Sequence, residues 1–204
     1  MITTPGGLTV LEDVITARRG DAHTLVAFSP GLTLQMLMKR SRYSYADITP
    51  IAAVSTDYGA LVVPVASKLV DLGAVMHALH RNSDEIRFGG GSGAGAMHHG
   101  MVAVTAAAAG IAPGAVHYAG SSGVAEAVSA LLAGQVTVAA LGATDVLDPL
   151  RSGSVRILAV LADRRLPGPF AGVPTAKEQG LDVTFPMWRG FYAPPGVPPG
   201  VVGF

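Results

Sequence analysis

The sequence RFGGGSGAGAMHHGMVAVTAAAA, residues 87–109, decides the predicted fold of this chain. Residues 89–95 contain five glycines, follow a short apolar segment, and lead directly into an alanine-rich run that favours helix. The order strand, glycine loop, helix leaves backbone N–H groups without partners at the helix start, where the helix dipole adds positive potential. Since glycines also let the backbone approach a ligand closely, this stretch predicts a site for a small anion such as a carboxylate or phosphate.

The segments on both sides of this stretch alternate between predicted strands and predicted helices. Strands are predicted at residues 24–28, 51–55, 60–66, 86–88, 115–118, 136–141 and 155–161, with short strands at 183–185 and 191–193. Helices are predicted at residues 8–19, 32–39, 71–80, 97–109 and 124–133. Asp71 is placed to cap one helix, and the spacing of Thr175 and Glu178 fits a capping box. Such alternation is typical of an α/β fold in which helices cover a mostly parallel sheet.

Three loops of small polar residues each follow a predicted strand and open a helical segment: residues 89–96, 119–123 and 142–145. Ligands of open α/β sheets bind beyond the carboxyl ends of the strands. We therefore expect the three loops to converge on one pocket.

Composition excludes several classes of partner and site. The chain has 204 residues, with 14 Lys and Arg against 14 Asp and Glu, so its formal net charge is zero and gives no sign of a nucleic-acid partner. No apolar run reaches the roughly 20 residues of a membrane span, which predicts no direct membrane insertion. Cysteine is absent, which excludes disulfides and thiolate metal sites.

The glycine loop does not complete any of the common nucleotide or hydrolase motifs. The spacing G-x-G-x-x-A at residues 91–96 fits a dinucleotide fingerprint, but no acidic residue lies between Glu85 and Glu126 to bind a ribose. A Walker A lysine is missing, and neither Ser92 nor Ser122 lies in G-x-S-x-G. We predict no cofactor. A carboxylate or phosphate site built from backbone N–H groups and Ser92, and a tight turn that only packs a helix on a sheet, both stay open.

The histidines do not form a predicted metal site. His98 and His99 are adjacent on a helix and point about 100° apart, while His77 and His80 have no carboxylate in the turn between them. His98, in the first turn after the glycine loop, is expected to hydrogen-bond a loop carbonyl or to contact a ligand, and the supporting role is favoured.

Two further charged residues allow alternative interpretations. Asp145 at a helix start is a charge that the helix dipole favours. Trp188 and Arg189 form either a packed indole beside a solvated guanidinium or an arginine available to a carboxylate.

Eight segments, taken in order, resemble the substrate-binding proteins of tripartite tricarboxylate transporters, the Bug-type periplasmic receptors. They are TPGG (residues 4–7), GDAHTL (20–25), YADITPIAAV (45–54), RFGGGSGAGAMHHG (87–100), VHYAGSSGVAEAVSALLAGQVTVAALG (116–142), SGSVRILAVLADRRLPG (152–168), GVPTAKEQGLDV (172–183) and FPMWRGFYAPPGVP (185–198). The ending WRG-F-APPG is most similar to citrate-type members.

The resemblance implies a two-lobed α/β fold like that of periplasmic binding proteins, a type II flytrap with parallel-rich sheets flanked by helices. Residues 1–63 with 187–204 are expected to form the first lobe, and residues 64–186 the second. Compared with the family pattern, the chain starts after the first strand and its carboxylate loop and stops before the closing C-terminal helices. The first lobe is therefore expected to be incomplete.

The resemblance also implies a function: an extracytoplasmic receptor, not an enzyme, that binds a small di- or tricarboxylate of the citrate type. Such a receptor delivers its ligand to the membrane components of the transporter. The periplasmic location is implied by the family alone, since residues 1–13 show no signal-peptide pattern. The family's ligand-binding positions correspond here to Ser29, Thr33, Gly91, Ser92, Gly93, Gly95, His98, Gly142, Thr144 and Asp145. Ala119, Met97 and His99 depart from the commoner family residues.

Two alternatives remain beside the receptor. One is an α/β enzyme acting on a phosphorylated small molecule, for which only His98, His99 and Asp145 supply titratable groups near the loops. The other is a remnant that no longer holds a ligand.

Overall fold

A computed structural model describes residues 7–203, so the TPGG segment at residues 4–7 lies, apart from Gly7, outside the described residues. The chain divides into two compact units. Unit 1 comprises the described parts of residues 1–56 and 187–204, and unit 2 comprises residues 57–186. The first crossing between the units thus falls earlier in the chain than residue 63, where the sequence analysis placed it.

The described part of unit 1 is built from three α-helices and three strands. It contains α1 (Leu8–Thr16), β1 (Val26–Phe28), α2 (Pro30–Leu37), the first part of β2 (Thr49–Pro64), nearly all of β7 (Pro186–Ala193) and the short α7 (Pro199–Val202). Strand β7 lies between β1 and β2 and pairs with β1 in antiparallel fashion. The core of this unit consists of Leu11, Val14, Phe28, Leu32, Met36, Ile48 and Tyr192.

Unit 2 contains the alternating elements predicted around the glycine loop. These are α3 (Leu72–Arg81), β3 (Arg87–Gly90), α4 (Met97–Ala108), β4 (His117–Gly120), α5 (Val124–Leu132), β5 (Val138–Gly142), α6 (Leu147–Arg151) and β6 (Val155–Val160), with the second part of β2. Strand β3 runs parallel to both β4 and β5, whereas β2 pairs with β5 and β6 in antiparallel fashion. The sheet is therefore mixed, and the predicted parallel pairing holds for β3, β4 and β5. Strand direction could not be read locally, because side chains alternate between faces in either direction.

The two strands predicted at residues 51–55 and 60–66 are one continuous strand, because β2 runs through residues 56–59, which the sequence analysis left between strands. β7 begins at Pro186 and includes the strand predicted at residues 191–193, whereas residues 183–185, also predicted as a strand, are not in a strand. β3 and β5 also extend further than predicted, so Gly89, Gly90 and Gly142 belong to strands rather than to loops.

The predicted caps are confirmed, although one of them caps a shorter element. The Asp71 carboxylate accepts the N–H of Ala74 at the start of α3. Thr175 and Glu178 exchange the two hydrogen bonds of a capping box, but on a 3₁₀ turn instead of a helix. Within residues 7–203, none of the helices combines the length and apolar character needed to cross a membrane.

Candidate functional site

Within unit 2, three loops follow the carboxyl ends of the parallel strands β3, β4 and β5, at the same edge of the sheet. Gly90 at the end of β3 lies opposite Gly120 at the end of β4, and Gly89 lies opposite Ala139 in β5. Residues 91–96, 121–123 and 143–145 follow these strand ends. The three loops therefore lie at one edge of these strands, and their convergence on one pocket stays a prediction.

Close packing between the first two loops explains three of the glycines. A Cβ on Gly90 would lie 2.6 Å from the Tyr118 hydroxyl oxygen, and a Cβ on Gly91 would lie 2.8 Å from the Val124 nitrogen. Real Cβ atoms do not approach so closely, and a Cβ on Gly120 would lie 2.6 Å from a loop carbonyl. The tight-turn interpretation thus applies to these glycines. Gly93 differs, because a Cβ there would meet no described atom within 4 Å.

Ser92 and His98 tie the glycine loop to α4. The Ser92 Oγ accepts the His98 N–H at 3.2 Å and lies 3.1 Å from His98 Nδ1. Ala96, the residue before α4, carries no side-chain oxygen, so Ser92 takes over the capping role for this helix start. His98 is buried, and these bonds join it to the Ser92 hydroxyl of the glycine loop, whereas the sequence analysis expected a loop carbonyl as its partner.

Tyr118 and His99 also hold the glycine loop; the sequence analysis missed Tyr118 and named His99 only as a titratable group near the loops. The Tyr118 hydroxyl donates to the Ser92 carbonyl at 2.6 Å, and burial raises the pKa of Tyr118, which keeps the donor protonated. His99 Nδ1 accepts the Gly95 N–H at 2.9 Å, and the His99 ring lies 4.8 Å from the Tyr118 ring. Gly95 adopts a φ of 77°, which suits glycine. The four-residue spacing of Gly95 and His99 was the one signal available in the sequence.

The second loop is already bonded to a carboxylate. Ser122 donates its N–H and its hydroxyl to Glu126 Oε2, at 2.8 Å and 2.5 Å. These bonds hold the pKa of Glu126 below its usual value.

Carboxylates also occupy the donors of the third loop. The Thr144 hydroxyl and N–H both donate to Asp57 Oδ2, at 2.6 Å and 3.2 Å. The Gly142 N–H donates to Asp145 Oδ2 at 3.1 Å. Asp57 was missed because it lies on β2, and no local spacing links it to a loop so distant in the chain.

The predicted positions of unit 1 lie at the start of α2. The Ser29 carbonyl accepts the N–H of Leu32 at 3.1 Å, and the Thr33 hydroxyl lies 3.5 Å from the same carbonyl. Among residues 7–203, the Ser29 side chain makes no capping hydrogen bond. Ser29 and Thr33 belong to unit 1, whereas the other eight predicted positions belong to unit 2.

The aromatic interpretation of Trp188 agrees with its contacts. Its ring packs edge-on against Phe28, with centroids 5.0 Å apart. The exposed Arg189 guanidinium donates to the carbonyls of Met187 and Trp188. A groove of about 480 Å³ beside these rings is lined by Phe28, Pro50, Ile51, Ala52, Ala53, Trp188 and Phe191, and this apolar lining does not suit a carboxylate.

The described residues contain no group of three or more His, Asp or Glu side chains that could hold a metal ion. His80 Nδ1 instead lies 2.9 Å from the Met76 carbonyl of its own helix.

Comparison with known proteins gives consistent matches over almost the whole chain. The model of the tripartite tricarboxylate transporter family receptor, TctC, matches residues 4–204. Over 203 residues the chain is 32% identical to the UPF0065 protein in the tcbD-tcbE intergenic region of Pseudomonas sp. (strain P51). That alignment covers 97% of this chain and 58% of the relative's length.

Solved structures of similar proteins share the fold. A TctC solute-binding protein from Polaromonas, without ligand, is 25% identical with a TM-score of 0.74, and the match covers 96% of this chain and 65% of that one. MatC from Rhodopseudomonas palustris with bound malate is 24% identical with a TM-score of 0.81, and the match covers 98% and 67%. The α/β fold predicted from the sequence is confirmed, and the chain spans about two thirds of the length of these structures.

Proposed function

The chain belongs to the tripartite tricarboxylate transporter receptor family, and from this premise we propose that it binds a small di- or tricarboxylate of the citrate type outside the cytoplasm. In this proposal the chain releases the ligand to the membrane components of a tripartite transporter, and its compartment is the periplasm. The malate bound to the similar MatC protein supports a ligand of this size and charge.

The observation that carries the proposal is the difference between the glycine loop and its two neighbours. Donors of the second and third loops are bonded to carboxylates of the chain itself. The acceptors bonded at the glycine loop are uncharged: a hydroxyl, an imidazole and a carbonyl. A carboxylate at the glycine loop therefore meets no fixed negative charge there.

The helix that follows adds a favourable potential. α4 has 12 residues and no acidic residue in its first turn, so its positive N-terminal end is not compensated locally. The exposed Gly93 leaves space above the loop for a ligand. These features supply the electrostatic half of carboxylate binding without a lysine or arginine.

An enzyme acting on a phosphorylated small molecule is the second candidate. It is favoured by the 3.1 Å contact of Ser92 Oγ with His98 Nδ1, which is a distance suited to a nucleophile and its base. The same hydroxyl also accepts the His98 N–H, which commits it to the helix start. The comparisons support a receptor, since the matched structures are solute-binding proteins.

The proposal is tested by calorimetric titration of citrate, malate, succinate and phosphate into the chain and two glycine variants. Gly95→Ala forces a side chain onto a φ of 77° in the glycine loop, and Gly110→Ala does the same at a φ of 73° beyond the other end of α4. Each substitution costs roughly 1–2 kcal/mol of stability, which makes Gly110→Ala a matched control.

We expect Gly95→Ala to weaken carboxylate binding at least tenfold, and Gly110→Ala to leave it unchanged. Equal affinities in the two variants would exclude the glycine loop as the carboxylate site. Turnover of phosphorylated substrates, lost in Ser92→Ala, would favour the enzyme.

A further inference from the structure

The Asp57 carboxylate occupies the hydrogen-bond donors of Thr144, where the sequence analysis predicted a ligand carboxylate. Thr144 was expected to bind the ligand, yet its hydroxyl and its N–H both donate to Asp57 Oδ2. The other oxygen, Oδ1, accepts the N–H of Tyr58 at 2.7 Å. The third loop therefore already contains an anion, and that anion is part of the chain.

A second carboxylate increases the negative charge at this position. A Cβ on Gly142 would lie 2.7 Å from an oxygen of Asp57 and 2.7 Å from an oxygen of Asp145, so both carboxylates reach the space that a side chain of residue 142 would occupy. Within residues 7–203, no Lys, Arg or His forms an ion pair with Asp57 or Asp145. A ligand carboxylate near Thr144 would meet two uncompensated like charges.

The glycine loop and the third loop, with its Asp57 carboxylate, are close enough for one small ligand to contact both. Within unit 2 the strand order is β2, β5, β3, and adjacent strands lie about 4.8 Å apart, which separates β2 from β3 by roughly 10 Å. Asp57 precedes by two residues Gly59, which pairs with Gly142 at the end of β5, so Asp57 lies beyond the end of β5, at the edge where the glycine loop follows β3. A ligand of four to six carbons can thus hold its carboxylate at the glycine loop and another group against Asp57.

We infer that Asp57 determines specificity at this site by selecting carboxylates that carry a hydrogen-bond donor. The donor, a hydroxyl or an ammonium group, faces Asp57, while the ligand carboxylate lies at the glycine loop. This inference rests on the proposed receptor function and narrows its ligand class. A dicarboxylate of the same length without such a donor binds less tightly. It brings to Asp57 either a carboxylate, which repels it, or a methylene group, which donates no hydrogen bond.

Matched ligands test the inference. Malate differs from succinate by one hydroxyl, citrate differs from tricarballylate in the same way, and aspartate carries an ammonium group where malate carries its hydroxyl. Titrations use the wild-type chain, Asp57→Ala, which frees both Thr144 donors, and Asp57→Asn, which removes the charge with little change of shape. Asp148→Ala removes one exposed carboxylate elsewhere in unit 2 and serves as the control.

For the wild type we expect malate to bind at least tenfold more tightly than succinate, and citrate more tightly than tricarballylate. In Asp57→Ala the ratio should fall to about one because succinate binds more tightly, and Asp57→Asn should shift it in the same direction. Asp148→Ala should keep the wild-type ratio. Tighter binding of aspartate than of malate would identify the donor as ammonium, and the reverse order as hydroxyl.

The outcomes separate this inference from the proposed function. Carboxylate binding that depends on Gly95 but shows no preference for malate, or a preference that survives Asp57→Ala and Asp57→Asn, overturns the role of Asp57 alone. Failure of every carboxylate to bind the wild type and all the Asp57 variants overturns the receptor function itself.

Discussion

Replacing Tyr192 by phenylalanine is expected to stabilise the protein, because the hydroxyl that it removes is buried without a partner. Tyr192 is fully buried in the core of unit 1, where its ring packs edge-on against Phe28 at 5.4 Å. No hydrogen-bond partner for its hydroxyl lies in the described part of the chain. An unsatisfied buried hydroxyl costs roughly 1–3 kcal/mol, and phenylalanine keeps the packed ring. We therefore expect Tyr192→Phe to raise the free energy of unfolding by about 1 kcal/mol at pH 7.

The pH dependence provides an independent measure of the same burial. Burial raises the pKa of Tyr192 to about 12, whereas an unfolded tyrosine has a pKa of about 10. The unfolded chain therefore loses this proton first. Ionisation of Tyr192 therefore leaves the free energy of unfolding unchanged below pH 10. It lowers that free energy as the pH rises from 10 to 12, by roughly 2–3 kcal/mol in total.

Urea unfolding of the wild type and Tyr192→Phe, measured at pH 7 and between pH 9 and 11, tests both parts. The two stability curves should diverge above pH 10, with the wild type losing more stability. Tyr45→Phe, at an exposed tyrosine of the same unit, controls for loss of a titrating hydroxyl. A loss of more than 1 kcal/mol in Tyr192→Phe at pH 7, or parallel alkaline profiles, would show that the hydroxyl is bonded and refute the reasoning.

Three further substitutions probe unit 2. Leu131→Ala removes a fully buried side chain of α5 and should lower the free energy of unfolding by about 2–5 kcal/mol in urea titrations; a smaller loss would mean that the core collapses around the cavity. Gly142→Ala places a Cβ against the Asp57 carboxylate and should lower the melting temperature and weaken malate binding, and unchanged values of both would contradict the close contact. The Thr175 N–H holds the pKa of Glu178 below its usual value, so its carboxylate stabilises the fold above the unfolded pKa near 4.5, and this contribution is lost as the pH falls. Glu178→Gln should melt below the wild type at pH 7 in circular dichroism, with the difference closing below pH 4, and a constant difference would contradict this.

The sequence was most informative where glycines and caps carry local signals. α4 (Met97–Ala108) and the Asp71 cap agree with the predictions, because a glycine-rich segment before an alanine-rich run and an aspartate before an apolar helix are local patterns. The division of β2 into two predicted strands was wrong, because residues 56–59, which gave no apolar strand signal, remain extended within one strand. Tertiary pairing here overrides local propensity.

The candidate site was predictable only in part for a related reason. His98 was identified because it directly follows the loop that it supports. Asp57 and Tyr118 contact loops distant from them in the chain, and such contacts depend on which strands become neighbours. A single sequence does not contain that information when strand order and direction are unknown.

The glycine loop takes its shape from His98, His99 and Tyr118, so its form does not depend on a ligand to organise it. A ligand that enters such a preformed cradle loses its own freedom but does not have to immobilise the protein backbone as well. The Gly93 carbonyl accepts the Ala96 N–H within the loop, but a side chain at this exposed position would point into open space. A side chain introduced at this one position would therefore face the ligand rather than the packed residues beneath the loop, so the accepted ligand can be changed there with little cost to the fold.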